Sequence, residues 1–229
     1  MIEIRNLSKT FKTADGKPTG FDVDIANALC EQLKRKCVFV EQVWDSMIPG
    51  LQARKYDIIV SSMSITDERR KVVDFSDRYY KTPSAIVVKK GTEYTGPASL
   101  KGKSIGVLKG STQEKWAMGE LKPAGVNVVP YEAQDQVYLD IRSGRLDGTV
   151  ADILEVGGGF LNKPEGQDYT LVGPELYIPK YFGTGAGVAV RKGQGALKND
   201  ISAAIKTLRT NGTYKKINDK YFKFDVYAT

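Results

Sequence analysis

The chain has 229 residues with 34 basic and 27 acidic side chains, a net charge of +7 and no histidine. This length suits one large domain or two lobes of about 100 residues each, and no apolar run approaches the roughly 18 residues of a membrane span. The lack of histidine removes the serine–histidine triad and the commonest metal ligand, although catalysis by Asp, Glu or Lys stays open. Basic residues are scattered along the chain and form only short runs such as Lys89 and Lys90, which argues against nucleic-acid binding.

The order of elements predicts an α/β sheet fold, because helical and strand patterns alternate along the chain. Helices are predicted at residues 24–33, 46–54, 111–121, 133–143, 196–211 and 212–221. Strands are predicted at residues 37–40, 57–60, 85–88, 102–108, 126–129 and 148–151. The first eleven residues contain Lys and Arg but no apolar core of a secretory signal, so a processed secreted protein and a cytoplasmic protein both remain open.

Two cysteines, Cys30 and Cys37, flank the predicted turn from the first helix to the next strand. Their spacing is too wide for a CxxC redox or zinc pair, and no other ligands accompany them. A disulfide is sterically reasonable here and indicates an oxidising compartment, while two buried free thiols are the alternative.

A buried strand at residues 58–60 ends in a hydroxyl cluster that contains Ser61, Ser62 and Ser64, and Arg69 follows five residues after Ser64. Ligands of open α/β sheets bind at the carboxyl ends of strands. Hydroxyls and one guanidinium suit a carboxylate. The alternative is a plain strand-to-helix turn with a threonine cap and solvated arginines.

A similar pattern occurs later, where Asp147 opens a strand that ends at Asp152, as Asp57 opens the strand that leads to Ser62. Between them, Ser111 begins a helix with the spacing of a capping box, followed by Thr112. Arginine and helix N–H groups suit an α-carboxylate, and Asp152 suits an α-ammonium. Two similar halves would present the charge pattern of a free amino acid across a cleft.

These motifs together resemble the periplasmic solute-binding proteins for polar amino acids, in the branch that binds lysine, arginine, ornithine and histidine. The resemblance runs from about Phe21 to Thr229. It is carried by residues 20–25 (GFDVDI), 61–69 (SSMSITDER), 100–103 (LKGK), 110–114 (GSTQE), 144–147 (GRLD) and 181–183 (YFG).

The resemblance implies an α/β, two-lobed periplasmic binding protein fold of type II, with lobes joined by two hinge strands. Lobe I would hold residues 1–82 and 186–229, and lobe II residues 83–185. The crossings would lie near residues 81–84 and 184–187, and the lobes would close around ligand by hinge motion. Members of this family often carry a disulfide at the positions of Cys30 and Cys37.

The resemblance also implies roles for individual residues. Arg69 would hold the ligand carboxylate, helped by Ser64 and the backbone of Thr112. Asp152 and the Ser62 region would hold the ammonium group. Trp44 would stack on a cationic ligand side chain, with core packing as its alternative role. The expected pocket lining is completed by Ser61, Leu108 and Gln113.

The N-terminal segment departs from the family. Relatives open with an apolar strand, a tyrosine and prolines, whereas residues 2–11 here contain neither tyrosine nor proline. Residues 2–5 could still form the first strand, and Phe11 could replace the missing aromatic side chain.

The function implied is capture of a basic L-amino acid in the periplasm and its delivery to the membrane permease of an ABC transporter. No chemistry, cofactor or metal is expected, and a monomer is expected. Three alternatives remain: a lyase on the same scaffold similar to cyclohexadienyl dehydratase, the sensor domain of a receptor, and a variant that folds without binding because of its N-terminus.

Overall fold

The structure is a computed structural model, and it describes residues 11–12 and 18–227. The chain divides into two compact units. Unit 1 contains the described residues up to Lys81 and those from Gly183 onward, and unit 2 is Thr82–Phe182. The chain therefore leaves unit 1 once and returns to it once.

The described part of unit 1 combines short strands with helices at both ends of its sequence. The strands are β1 (Phe11–Lys12), β2 (Pro18–Thr19), β3 (Ile58–Ile59), β4 (Val73–Tyr80) and β10 (Ala186–Arg191). The helices are α1 (Phe21–Gln32), α2 (Met47–Gln52), α3 (Asp67–Arg70), α8 (Gly195–Thr210) and α9 (Thr213–Tyr221). Strand β10 lies between β3 and β4 and pairs antiparallel with both, while β1 pairs antiparallel with β2.

The core of unit 1 forms where the apolar face of α2 meets this sheet. Met47 and Leu51 of α2 are fully buried and belong to one cluster with Ile59, Phe75 and Ala189 from the three paired strands. Residues 58–60 are at most 1% exposed, so the buried strand predicted there is confirmed. The sheet and α2 thus provide a rigid base for the hydroxyl-rich segment that follows β3.

Unit 2 is built on a mixed sheet with the strand order β7-β6-β8-β5-β9. The strands are β5 (Ser84–Lys89), β6 (Ser104–Leu108), β7 (Asn127–Tyr131), β8 (Gly148–Asp152) and β9 (Tyr169–Leu176). The helices are α4 (Thr112–Trp116), α5 (Gln134–Arg142), α6 (Ile153–Val156) and α7 (Pro179–Phe182). Strand β6 runs parallel to β7 and β8, whereas β5 runs antiparallel to β8 and β9.

Both faces of this sheet are covered. Ile86 and Val88 of β5 pack in one apolar cluster, and Val87 between them packs in another. All of these side chains are fully buried, which explains why β5 is a continuous apolar run rather than an alternating one.

The predicted strand at residues 37–40 is wrong. These half-buried residues form no strand, and no described strand pairs with them. An apolar run becomes a strand only where a neighbouring backbone satisfies its hydrogen bonds. The other predicted helices and strands are confirmed within a few residues at each end.

None of the helices in the described part of the chain is long and apolar enough to cross a membrane. The longest, α8, is an amphipathic helix of 16 residues.

Candidate functional site

The segment that follows β3 lies at the carboxyl end of that strand, as the sequence predicted. Ser61 is buried with 1% exposure, Ser62 is exposed, and Ser64 is half-buried and forms an isolated bridge with Ala186. The amide of Ile65 donates to the carbonyl of Gly185 at 2.8 Å. The hydroxyl-rich segment is therefore pinned to the start of β10 rather than left as a loose loop.

Arg69 takes part in the helix cap that the sequence predicted, while its guanidinium is only half-buried. Thr66 caps α3, and its hydroxyl accepts from the backbone N–H of Arg69 at 3.2 Å. The guanidinium is anchored, since Nη1 donates to the carbonyl of Ser64 at 3.0 Å. Burial lowers the pKa of Arg69 to about 10, partly opposed by the nearby Glu68 carboxylate. An arriving anion stabilises a partly desolvated cation.

Trp44 lies beside that guanidinium. The Cζ atom of Arg69 is 5.5 Å from the centroid of the Trp44 ring, which is a cation–π distance. Trp44 begins the short 3-10 turn Trp44–Ser46 that precedes α2, and its ring packs against the core of unit 1. The structure thus shows both core packing and contact with Arg69, while stacking of Trp44 on a ligand stays a prediction.

Ser62 is held by two residues that the sequence analysis did not select. Its hydroxyl donates to Oδ2 of Asp22 at 2.6 Å, and its backbone N–H donates to the hydroxyl of Tyr79 at 2.9 Å. The Tyr79 hydroxyl in turn donates to Oδ1 of Asp22 at 2.7 Å. Asp22 lies in the matched stretch 20–25, which was a signal in the sequence, but nothing in the sequence marked Tyr79.

The backbone of Ser62 is left-handed, with φ of 52°. This conformation is uncommon for a residue with a side chain and typically costs about 1–3 kcal/mol. Such strain persists only where surrounding contacts impose it, as Asp22 and Tyr79 do here.

In unit 2, Asp152 ends β8 and caps α6. Its Oδ1 accepts from the backbone N–H groups of Leu154 at 2.9 Å and Glu155 at 3.2 Å. Its Oδ2 accepts a short hydrogen bond from the Thr82 hydroxyl. These contacts fix the orientation of the carboxylate.

The other predicted residues of unit 2 lie close to Asp152 in the fold. Ser84 is the register partner of Asp152 across β5 and β8, and its hydroxyl accepts from Nε2 of Gln113 at 2.9 Å. Gln113 follows Thr112, whose hydroxyl donates to Oε1 of Gln113 at 3.2 Å. Leu108 ends β6, the strand that leads to this turn.

The predicted capping box is confirmed with one change. The Ser111 hydroxyl accepts from the backbone N–H of Glu114 at 3.0 Å, as expected. The Glu114 carboxylate reaches back one residue further than expected and accepts from the backbone N–H of Gly110 at 2.7 Å. Thr112 is only 6% exposed, so the start of α4 is firmly placed.

Two predictions concern residues away from these clusters. The disulfide between Cys30 and Cys37 is confirmed, and it ties the end of α1 to residue 37. Phe11 lies on β1 opposite Thr19, but its side chain and residues 1–10, including the possible strand at 2–5, lie outside the described residues. No cluster of possible metal ligands occurs among residues 18–227.

The sequence pattern of the bacterial extracellular solute-binding proteins, family 3, matches residues 4–224. The chain belongs to this family. It is 52% identical to the L-arginine-binding protein of Pseudomonas aeruginosa over 221 residues, which are 96% of this chain and 85% of that protein. It is 42% identical to the histidine-binding periplasmic protein of Salmonella typhimurium, over 95% of this chain and 84% of that protein.

Solved structures of this family have the same fold. An arginine-specific periplasmic binding protein of Salmonella typhimurium superposes with a TM-score of 0.89 at 31% identity, over 97% of this chain and 99% of that chain. An ancestral amino-acid-binding protein, described as a precursor of cyclohexadienyl dehydratase, has a TM-score of 0.83 at 31% identity, over 97% and 95%. The expected fold class, the two-lobed periplasmic binding protein fold, is confirmed.

Proposed function

We propose that this family member is a periplasmic binding protein for a basic L-amino acid, with L-arginine as the first candidate, and that it performs no chemistry. The observation that carries the proposal is the half-buried guanidinium of Arg69, which is held in place by the Ser64 carbonyl and by Trp44. The similarity to the L-arginine-binding protein supports the choice of ligand.

In this proposal each end of the ligand has its own partners. Arg69 takes the carboxylate, with Ser64 and the Thr112 backbone, and the oriented carboxylate of Asp152 takes the α-ammonium. The Ser62 region also faces the ammonium group. The remaining predicted lining residues are Ser61, Leu108, Gln113, Trp44 and Phe11.

We extend the proposal to the cellular role that is typical of the family. The protein would act in the periplasm and pass its amino acid to the membrane permease of an ABC transporter. The Cys30–Cys37 disulfide supports an oxidising compartment. Residues 1–82 with 186–229, and residues 83–185, would act as lobes I and II and would close around the ligand by hinge motion.

The test compares neighbouring arginines of α3. Arg69→Ala should weaken L-arginine binding, measured by titration calorimetry, at least about thirtyfold, because a buried carboxylate would lose its charged partner. Arg70→Ala is the matched control, since Arg70 is exposed and lies next to Arg69 on the same helix. Undiminished affinity in Arg69→Ala, or an equal loss in Arg70→Ala, would contradict the assignment.

A lyase on the same scaffold is the competing function. The ancestral relative named as a precursor of a dehydratase is itself described as an amino-acid-binding protein, so it favours binding. Turnover of prephenate or arogenate by the purified protein, with no stabilisation by any amino acid, would replace the binding proposal by the enzymatic one.

A further inference from the structure

Ser62 has a backbone conformation that is sterically unfavourable for a residue with a side chain. It is an exposed residue with a side chain, yet its φ of 52° lies in the left-handed region. Its side-chain hydroxyl is committed to Asp22 and its backbone N–H to Tyr79. No described residue donates a backbone hydrogen bond to its carbonyl oxygen. The carbonyl is thus a polar group of Ser62 that can accept from a bound molecule.

The two residues that hold Ser62 are themselves rigid. Tyr79 is fully buried on β4, and its ring stacks on Phe21 with centroids 6.4 Å apart. Asp22 follows Phe21 in the first turn of α1, where the positive end of the helix dipole favours a carboxylate. Because Tyr79 also donates to Asp22, the two partners of Ser62 are linked to each other in a closed triangle.

Burial and the adjacent Asp22 carboxylate raise the pKa of Tyr79 well above its ordinary value. The hydroxyl therefore keeps its proton at any physiological pH and continues to donate to Asp22. It can accept from the Ser62 N–H at the same time, since a tyrosine hydroxyl both donates and accepts.

We propose that Asp22 and Tyr79 are positioning residues that hold Ser62 in its left-handed conformation and so aim its carbonyl oxygen at the ammonium group of the bound amino acid. The inference rests on the proposed function. Neither residue needs to touch the ligand: without their two hydrogen bonds, Ser62 relaxes to a negative φ and its carbonyl turns away.

The first experiment removes one hydroxyl. Tyr79→Phe should weaken L-arginine binding about tenfold, which is the loss expected for one aligned hydrogen bond. Asp22→Asn, which keeps the shape but not the charge of the carboxylate, should weaken binding in the same direction. Affinity is measured by calorimetry well below the melting temperature of each variant, so that lost stability does not enter the result.

Tyr214→Phe is the matched control. Tyr214 belongs to the same aromatic cluster and is also buried, and its hydroxyl donates to the backbone carbonyl of Tyr79 and makes no hydrogen bond with Ser62. It should lose thermal stability as Tyr79→Phe does, but bind L-arginine as the unaltered protein does. An equal loss of affinity in both variants would show a general packing effect and would overturn the proposal.

A rescue variant tests the conformational argument directly. Glycine reaches a positive φ without steric cost, so Ser62→Gly should depend less on the two holding residues. In the Ser62→Gly background, adding Tyr79→Phe should weaken binding less than about threefold, against about tenfold in the native background. The same loss in both backgrounds would overturn the proposal.

Failure of this inference differs from failure of the proposed function. If the unaltered protein binds none of L-arginine, L-lysine, L-ornithine and L-histidine, both are wrong. If it binds L-arginine and Tyr79→Phe binds it equally well, only the positioning role is wrong.

Discussion

Arg69 makes two local contacts that place it in α3. Its backbone N–H completes a helix cap, while its half-buried guanidinium is anchored at one edge by the Ser64 carbonyl. The Thr66 cap fixes the backbone of the short helix α3 at residue 69, and so it sets the direction in which the Arg69 side chain extends. The lowered pKa of Arg69 reflects the cost of partly burying its charged guanidinium.

The fluorescence of Trp44 should respond to ligand binding at the Arg69 guanidinium. Trp44→Leu removes the cation–π contact and should weaken L-arginine binding about fivefold, because such a contact contributes about 0.5–2 kcal/mol. The chain has two tryptophans, and the other, Trp116, is buried in the core of unit 2. A fluorescence change on adding L-arginine should therefore persist in Trp116→Phe and vanish in Trp44→Phe, and the opposite pattern would contradict a role for Trp44.

Among the elements, β8 has a tight packing requirement near the candidate site. Gly148 opens this strand between β5 and β6, and a Cβ atom there would lie 2.1 Å from the carbonyl oxygen of Val87. Because that oxygen belongs to the backbone of a paired strand, it cannot move aside without distorting the sheet. The same strand carries Asp152 at its other end, so its register decides where that carboxylate lies.

Gly148→Ala should consequently destabilise the protein by about 1–3 kcal/mol in urea unfolding. Gly157→Ala is a matched control in unit 2, because the nearest atom to its added Cβ would be Nδ2 of Asn162 at 4.0 Å. Gly157 lies in the helical segment Gly157–Leu161, so alanine there should be neutral or stabilising by about 0.4–1 kcal/mol. Equal stability of both variants would show that the β5–β8 approach is looser than the structure indicates.

For the whole molecule, the proposed function would require the ligand to bind residues of both compact units, Arg69 of unit 1 and Asp152 of unit 2. A ligand that binds only the folded protein stabilises it by mass action, by about 2.7 kcal/mol at a hundred times its dissociation constant. Binding should therefore make local unfolding rarer in both units, and not in one of them alone.

Hydrogen exchange tests this expectation. Saturating L-arginine should increase protection of amides in β3 and α3 of unit 1 and in β8 and α6 of unit 2. Arg69→Ala at the same L-arginine concentration should lose the increase in both units together. Protection confined to one unit would contradict the assignment of Arg69 and Asp152 to the two ends of the same ligand.

The sequence was sufficient for features that depend on local pattern. Alternating helix and strand signals predicted the α/β class, the capping box at Ser111 placed one helix start, and the apolar run at residues 85–88 identified the buried strand β5. Its resemblance to the family also selected Arg69 and Asp152 as candidates. The strand predicted at 37–40 failed because a strand needs a partner, and pairing is not a local property.

By itself, then, the sequence determined the fold class, the disulfide partners and the residue types available to bind an amino acid, since each follows from composition, spacing or family pattern. Only the tertiary structure decided which of those residues are fixed by hydrogen bonds or burial, and which neighbours fix them. The pairing of Ser62 with Asp22 and Tyr79 joins residues 40 and 17 positions apart, and the partial burial that lowers the pKa of Arg69 depends on neighbours that folding brings together. The backbone strain at Ser62 and the partial desolvation of Arg69 arise from contacts between residues distant in sequence. Neither could therefore be predicted from the local sequence pattern.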